Sequence, residues 1–494
     1  MFDQVDTLRR EVSESLDEGR RAQLGQYMTP SRIARYMASL FNEPATEEIA
    51  LLDAGAGIGS LTAAFLERVQ GGWGPVRRID AQAYEIDPAL VPALAANLHD
   101  YQQFALGFGV RFCPQLEHED FIVSVTRTMW AQEQPQFDCV ILNPPYKKIT
   151  SDSLHRKMLR SVGIETVNLY SAFVALCIKC LKPGGELVAI IPRSFCNGPY
   201  YKPFRELIFR ETALLQIHLF ASRTKPFGED DVLQENLIIH LRKSEPQGQV
   251  LISTSADDSF ADLQTTAFDF GHIVPPDDPE RVIHIPTGHD SGSLTLPPSF
   301  SFSLTDLGIT VSTGPVVDFR VKAYLRPMPD ETTVPLLYPA HFAAKHLDWP
   351  KPDFKKSNAI QVNGETAKWL YPTGHYVVVK RFSSKEEKKR IVARIVSPTE
   401  LPSSAYGFEN HLNVFHHRKK GLAEELALGL AVYLNSTLVD QYFRQFNGHT
   451  QVNATDLRLL KYPSAAVLRH LGHWARDLSE FDQVLVDQKV SSLA

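Results

Sequence analysis

The chain is predicted to be an α/β protein, with a mostly parallel sheet over its first half followed by a mixed α+β region. Short apolar strands alternate with helix-like segments from Ile49 to about Lys243, the order that parallel strands require because each return crossover takes up a helix. Glycines at every second position, Gly55, Gly57 and Gly59, stand between the first strand and the first helix. The fourth strand is stopped by consecutive prolines, Pro144 and Pro145, which lack the amide donors a continuing strand needs.

In chain order, seven strands are marked at residues 50–52, 80–84, 111–112, 138–142, 186–191, 215–219 and 236–241. The first leads through Asp53 into the glycine run and a helix over 61–69. Glycines there permit a tight strand-to-helix turn and let a ligand approach backbone N–H groups. The spacing is Gly-x-Gly-x-Gly, not the Gly-x-Gly-x-x-Gly of dinucleotide sites, and a plain glycine turn is the simpler alternative.

The second strand ends in Tyr84-Glu85-Ile86-Asp87, where a carboxylate can accept both hydroxyls of a ribose; a surface carboxylate is the simpler alternative. Asp120-Phe121 falls in the third strand-to-helix connection, where the acid can accept from an amino group of a base and the ring can cover its face. The fourth strand runs into Asn143-Pro144-Pro145-Tyr146. That turn sets an amide, a rigid carbonyl-bearing step and an aromatic ring at the ligand-binding edge of an open α/β sheet, as a holder for a flat, amino-bearing group. Cys177 and Cys180 have CxxC spacing but lie in a helix-like run over 169–181, so a buried helix is expected there and no metal site. Lys182-Pro183-Gly184-Gly185-Glu186 is a predicted turn between that helix and the fifth strand.

Beyond Ser244 proline, serine, aspartate and glycine crowd in and regular alternation is lost, which predicts a domain over 1–245 and a connecting region over 246–330. A third region, 331–494, mixes strand-like pieces at 376–380 and 390–396 with a helix over 422–438 and another after Tyr462. A chain of 494 residues, 44% hydrophobic, can bury at least two cores, since single cores stop growing at roughly 250–300 residues. Five cysteines make no disulfide framework. The N-terminal segment is charged, and no run approaches the ~18 apolar residues of a membrane span, so a cytoplasmic protein without a membrane partner is expected. The net charge is −6, but residues 345–420 hold 15 Lys/Arg against 7 Asp/Glu, leaving that stretch at +8 and the remainder at −14. An acidic body with one basic segment suits a C-terminal part that meets a polyanion.

The glycine turn, Glu85, Asp120-Phe121 and Asn143-Pro144-Pro145-Tyr146, in this order, resemble the Rossmann-like S-adenosylmethionine-dependent methyltransferases that modify amino groups. Gly25-Gln26-Tyr27-Met28-Thr29-Pro30, followed by a helix over 31–41, is similar to the segment preceding the glycine motif in adenine-N6 DNA methyltransferases of the TaqI type, the gamma class. Met28 stands where that family commonly has an aromatic residue. The resemblance implies that residues 1–48 close over the methionine end of S-adenosylmethionine. It further implies that Tyr27, Thr29, Pro30, Asp53, Gly55, Gly57, Gly59, Glu85, Ile86, Asp120 and Phe121 hold the cofactor. Asn143, Pro144, Pro145 and Tyr146 would hold the target base, with Phe227, or alternatively Phe220, as a second aromatic wall.

Phe446-Asn447-Gly448-His449-Thr450-Gln451-Val452-Asn453 resembles the closing segment of recognition regions in this family, which implies contact with double-stranded DNA somewhere in 331–494. The cluster His416-His417-Arg418-Lys419-Lys420 fits phosphate contacts or, equally, a solvated loop. The implied activity is methylation of N6 of a flipped-out adenine, as the modification partner of a restriction endonuclease acting on the same site. The alternatives are methylation of a protein glutamine or an RNA base, and a non-catalytic DNA-binding specificity protein.

Overall fold

The computed structural model describes residues 2–15, 28–131, 136–220, 235–286, 296–342, 347–383, 387–447, 451–476 and 482–493. It divides into two compact units, Met1–Ser291 and Gly292–Ala494. Two helices, α1 (Phe2–Ser15) and α2 (Ser31–Ser39), precede a regular alternation: β1 (Glu48–Ala54), α3 (Ser60–Gln70), β2 (Arg78–Tyr84), α4 (Val91–Leu106), β3 (Arg111–Glu117), α5 (Phe121–Trp130) and β4 (Phe137–Leu142). Then come α6 (Leu154–Ser161), α7 (Leu169–Cys180), β5 (Leu181–Pro192), α8 (Lys202–Glu211), β6 (Thr212–Phe220), β7 (Asn236–Lys243), β8 (Gln249–Ser255) and β9 (Gln264–Asp269).

These strands form one sheet in the order β3-β2-β1-β4-β5-β7-β6-β8-β9. β1 to β5 are parallel, whereas β7 runs antiparallel to both β5 and β6. The central strands are apolar on both faces because helices cover both. Leu52, Val140, Leu142, Leu187 and Ala189 point into one core, and Leu51, Cys139, Ile141, Val188 and Ile190 into the other. Chain order reverses between β1 and β4, and the loops leaving their carboxyl ends diverge there to open a crevice.

All seven expected strands are present, each longer than its apolar run, but the sheet has nine, and the division expected near 245 falls instead at 291/292. β8 extends β6 in parallel and β9 closes the edge antiparallel. Of the apolar residues of β8 only Val250 and Ile252 are buried, beside the buried Ser253 and Ser255, and β9 is almost wholly exposed, so neither shows an apolar run. The Pro-Gly-Gly predicted as a helix-to-strand turn is an irregularity inside β5. Leu181 pairs with Phe137 and Glu186 with Cys139, and the residues between loop out with Gly184 at φ 78°. Cys177 and Cys180 are buried in α7, where burial pushes both thiols up.

The second unit holds a four-stranded sheet of β10 (Thr310–Thr313), β15 (Tyr376–Lys380), β16 (Ala393–Val396) and β18 (Leu412–His416). A five-stranded sheet comprises β11 (Leu325–Arg326), β12 (Thr333–Leu337), β13 (Ala359–Gln361), β14 (Leu370–Pro372) and β17 (Ala405–Phe408). Helices α9 (Glu424–Leu434), α10 (Thr437–Phe446), α11 (Ala454–Leu459), α12 (Ala465–Arg476) and α13 (Gln483–Ser491) follow. The expected helix over 422–438 is interrupted after Leu434, because the Ser436 side chain accepts from the Val439 N–H and caps a new helix. The connecting region expected over 246–330 is thus divided: β8 and β9 complete the first sheet and β10 opens the second unit.

Candidate active site

A cavity of about 230 Å³ opens at the carboxyl ends of β1, β2 and β4. Its floor is the glycine turn. Gly55 and Ala56 donate backbone N–H bonds to the Tyr84 carbonyl at 3.1 and 2.8 Å, which folds the chain back over the end of β2. Gly55, Gly57 and Gly59 have φ of 82°, 60° and 87°, a region in which only glycine is unstrained. Their roles differ. A Cβ on Gly57 would project into open space at the cavity, whereas one on Gly59, at the start of α3, would lie 3.1 Å from Leu94 Cδ1 and 3.3 Å from the Tyr101 ring. Gly57 therefore leaves room for a ligand, and Gly59 lets α3 pack against α4.

Glu85, 5% exposed, faces this turn. Its Oε2 accepts from Gly57 N–H at 2.9 Å and its Oε1 from Asp87 N–H at 2.7 Å. Burial pushes its carboxyl up to about 7 against those donors. Each carboxylate oxygen keeps a second lone pair for a ligand hydroxyl. Beside it, Ile86 is 48% exposed although it lines the cavity, and Phe121 lines the cavity with its ring 4.8 Å from that of Phe173. These apolar surfaces suit a flat ring, and Glu85 suits a sugar.

Asp120 caps α5, its Oδ1 accepting from Val123 N–H at 3.1 Å, while Oδ2 meets His155 Nε2 at 2.7 Å. Burial opposes ionisation of Asp120 most strongly, but the His155 ring and the helix amides outweigh it and hold the carboxyl below its usual value. The same hydrogen bond raises His155. His155 lies on α6, 35 residues beyond its partner. No local pattern in the sequence marks it, nor Lys147 and Glu119, which also line the cavity.

Asn143 forms the far wall with Pro145. Its Nδ2 donates to the hydroxyl of buried Thr29 at 3.0 Å, bringing the segment before α2 over the end of β4. The Tyr146 hydroxyl donates to Asn143 Oδ1 at 3.0 Å and to the Ile190 carbonyl at 3.2 Å, with its ring edge-on to Tyr170 at 6.3 Å. Pro144 is buried beside them.

Asp53 and Pro30 do not line the cavity. Asp53 lies behind the turn, 1% exposed, where its Oδ2 accepts from the Thr62 hydroxyl at 2.7 Å and burial pushes its carboxyl up to about 7. It ties β1 to α3. Pro30 caps α2. Phe220 is buried in the core between His218 and Phe260, so it presents no wall to a base. Tyr27 and Phe227 fall outside the described residues.

In the second unit the Phe446–Asn453 motif is structural wherever it is described. Asn447 Oδ1 accepts from buried Arg390 at 2.7 Å, Asn447 Nδ2 donates to Asp456 Oδ2 at 2.8 Å, and Asn413 Nδ2 donates to the Val452 carbonyl at 2.6 Å. Residues 448–450 lie outside the described residues.

A cavity at the carboxyl ends of parallel strands, floored by a glycine turn and walled by an amide-proline loop, is the arrangement of the S-adenosylmethionine-dependent methyltransferases, and the large, mostly parallel sheet is theirs as well. Comparison with known proteins narrows the class. Residues 99–227 match the family described as Eco57I restriction-modification methylase. The chain is 48% identical to the type II methyltransferase M.BsuBI of Bacillus subtilis, over 100% of this chain and 98% of that one. It is 44% identical to the type II methyltransferase M.PstI of Providencia stuartii, over 99% and 96%. Among solved structures, a DrdV–DNA complex shares the fold at 11% identity with a TM-score of 0.52, over 93% of this chain and 58% of that one. The chain belongs to the type II methyltransferases of restriction-modification systems.

Proposed function

We propose that the protein transfers a methyl group from S-adenosylmethionine to N6 of an adenine turned out of double-stranded DNA, as the modification partner of a restriction endonuclease. Bound in the cavity, the cofactor would supply an electrophilic methyl carbon on a sulfonium. Glu85 suits its ribose hydroxyls, Ile86 and Phe121 the faces of its adenine, and Asp120 the exocyclic amine. The observation that carries the reading is the position of Asn143, which lines this cavity and is fixed on one side by Thr29 and on the other by Tyr146.

An exocyclic amine of adenine is a poor nucleophile because its lone pair is delocalised into the ring. Asn143 Oδ1 and the Pro144 carbonyl can each accept one N–H bond, which favours a more tetrahedral nitrogen and stabilises its developing positive charge in a site sheltered from water. Holding the nitrogen in line supplies an entropic share of the acceleration. No general base is required, because the proton is lost after the methylated nitrogen has become acidic. Extruding the base costs a few kcal/mol, and stacking on the Tyr146 ring, worth ~1–3 kcal/mol, offsets part of it. The second unit, which contains the whole basic stretch 345–420, is the DNA-recognition part of this reading.

The test is chemical. Duplex DNA incubated with the protein and isotopically labelled S-adenosylmethionine is digested to nucleosides, and N6-methyl-2'-deoxyadenosine is the expected product. Asn143→Ala should abolish product while cofactor affinity, measured by calorimetry, stays within about twofold. A labelled protein side chain, or a labelled cytosine, in place of adenine would overturn the reading.

A further inference from the structure

Strand β18 leaves its sheet and reverses through His417, Arg418, Lys419 and Lys420. His417 N–H donates to the Lys420 carbonyl and Lys420 N–H to the His417 carbonyl, both at 2.8 Å, so the turn itself has two residues. They are Arg418 at φ 47° and Lys419 at φ 65°, the consecutive pair of positive-φ side chains among the described residues. A two-residue turn of this kind is best served by Asn-Gly, because L side chains are strained there. The hairpin is nevertheless rigidly based. His417 Nδ1 donates to the Gly308 carbonyl at 2.7 Å, His416 Nδ1 accepts from Lys419 N–H at 3.0 Å, and a Cβ on Gly421 would lie 2.7 Å from the Gly374 Cα.

A loop that served only to turn the chain would be more stable with the residues the turn prefers. Here the strained positions hold cations and are flanked by another. Lys419 is committed: its Nζ donates to the Lys368 carbonyl at 2.5 Å and sits 5.5 Å from the centre of the Tyr371 ring. Arg418 and Lys420 are exposed and, among the described residues, neither has a carboxylate partner. They lie in the stretch 345–420 that carries +8 on an otherwise acidic chain. We infer that Arg418 and Lys420, held out by this hairpin, are contacts to the phosphate backbone of duplex DNA. The inference rests on the DNA-methylation reading for the identity of the polyanion. The strain and the unneutralised charges stand without it.

Full-length protein is titrated into a fluorescent duplex that the wild type methylates, by anisotropy between 50 and 200 mM salt. Each lost phosphate contact lowers the slope of log K against log salt by about 0.9. Arg418→Asn with Lys420→Gln should therefore lower it by about 1.8, and its affinity deficit should shrink roughly tenfold from 50 to 200 mM. Its thermal midpoint should equal or exceed that of the wild type, because asparagine tolerates the left-handed region. Arg418→Lys with Lys420→Arg should keep the wild-type slope. An unchanged slope in the first variant, with or without a uniform loss of affinity, overturns the inference and leaves the methylation reading standing. A wild type that neither methylates nor binds any duplex overturns both.

Discussion

Replacing Glu85 with glutamine should weaken cofactor binding while removing a loss of stability that the cofactor-free protein suffers as the pH rises. In the folded protein burial lifts this carboxyl from 4.5 to about 7, with the nearby Asp87 adding to the effect and the N–H groups of Asp87 and Gly57 opposing it. A ligand whose hydroxyls donate to Glu85 prefers the ionised form. With a pKa of about 7, the ionised fraction falls from about 0.9 at pH 8 to about 0.1 at pH 6, so wild-type affinity should drop about tenfold, or ~1.4 kcal/mol.

The α-amino group of the cofactor also titrates near ~8. The decisive quantity is thus the difference between wild type and Glu85→Gln in calorimetric titrations across pH 6–8. The variant should lose the Glu85-dependent tenfold and bind roughly 10–100-fold more weakly at pH 8, the worth of a hydrogen bond to a charged group. Stability carries the opposite sign. Because the folded-state value lies above the unfolded one, the stability associated with a neutral Glu85 is complete below pH 4.5 and is lost as pH rises through about 7. That loss amounts to roughly 3 kcal/mol at most. Glu85→Gln should escape it, so its melting temperature relative to wild type should rise between pH 5 and pH 8, on a baseline lowered at every pH because its amide nitrogen faces one of the two backbone N–H groups. Parallel pH profiles for the two proteins, in binding or in melting, would refute the assignment.

Tyr146→Phe removes the hydroxyl bonded to Asn143 Oδ1 and to the Ile190 carbonyl. The turnover rate should fall about 2–10-fold, the worth of one ordinary hydrogen bond, with cofactor affinity intact; an unchanged single-turnover rate would show that Asn143 is oriented without it. Tyr146→Ala should be slower still and partly rescued by a mismatched target adenine, whose extrusion needs less energy, so a rate insensitive to mismatch counts against stacking. Gly429→Ala in α9 places a Cβ 1.7 Å from the Leu468 carbonyl oxygen of α12, so the two helices must separate. We expect a loss above ~4 kcal/mol and failure of the second unit to fold; a soluble variant melting with the wild type by calorimetry would contradict that packing.

The first half of the chain was legible because its signals are local. Apolar runs buried on both faces of a sheet show whichever way the chain is bent, and a glycine turn or a double proline constrains the backbone at its own position. The strands β1 to β7, the turn at Gly55–Gly59 and the loop at Asn143–Tyr146 all rest on such signals. β8 and β9 do not, since an edge strand needs few apolar residues and takes its pairing from a neighbour already in place. Asp53 shows the converse failure. A carboxylate next to a glycine turn reads as a ligand group, yet its side chain points behind the turn to Thr62.

What the sequence alone determined is the order of chemical groups along a strand-helix alternation: an acid after β2, an acid and a ring after β3, an amide and a tyrosine after β4. Which of them share a cavity was decided by the tertiary structure. The meeting of His155 with Asp120 and of Thr29 with Asn143 spans 35 and 114 residues of chain. The strain at Arg418 and Lys419 is likewise tertiary: β18 is held in its sheet on one side of the hairpin and Leu422 bridges to His375 on the other. Contacts of that kind depend on how helices and strands pack, and packing responds to shape and burial over the whole domain, which no window of sequence contains.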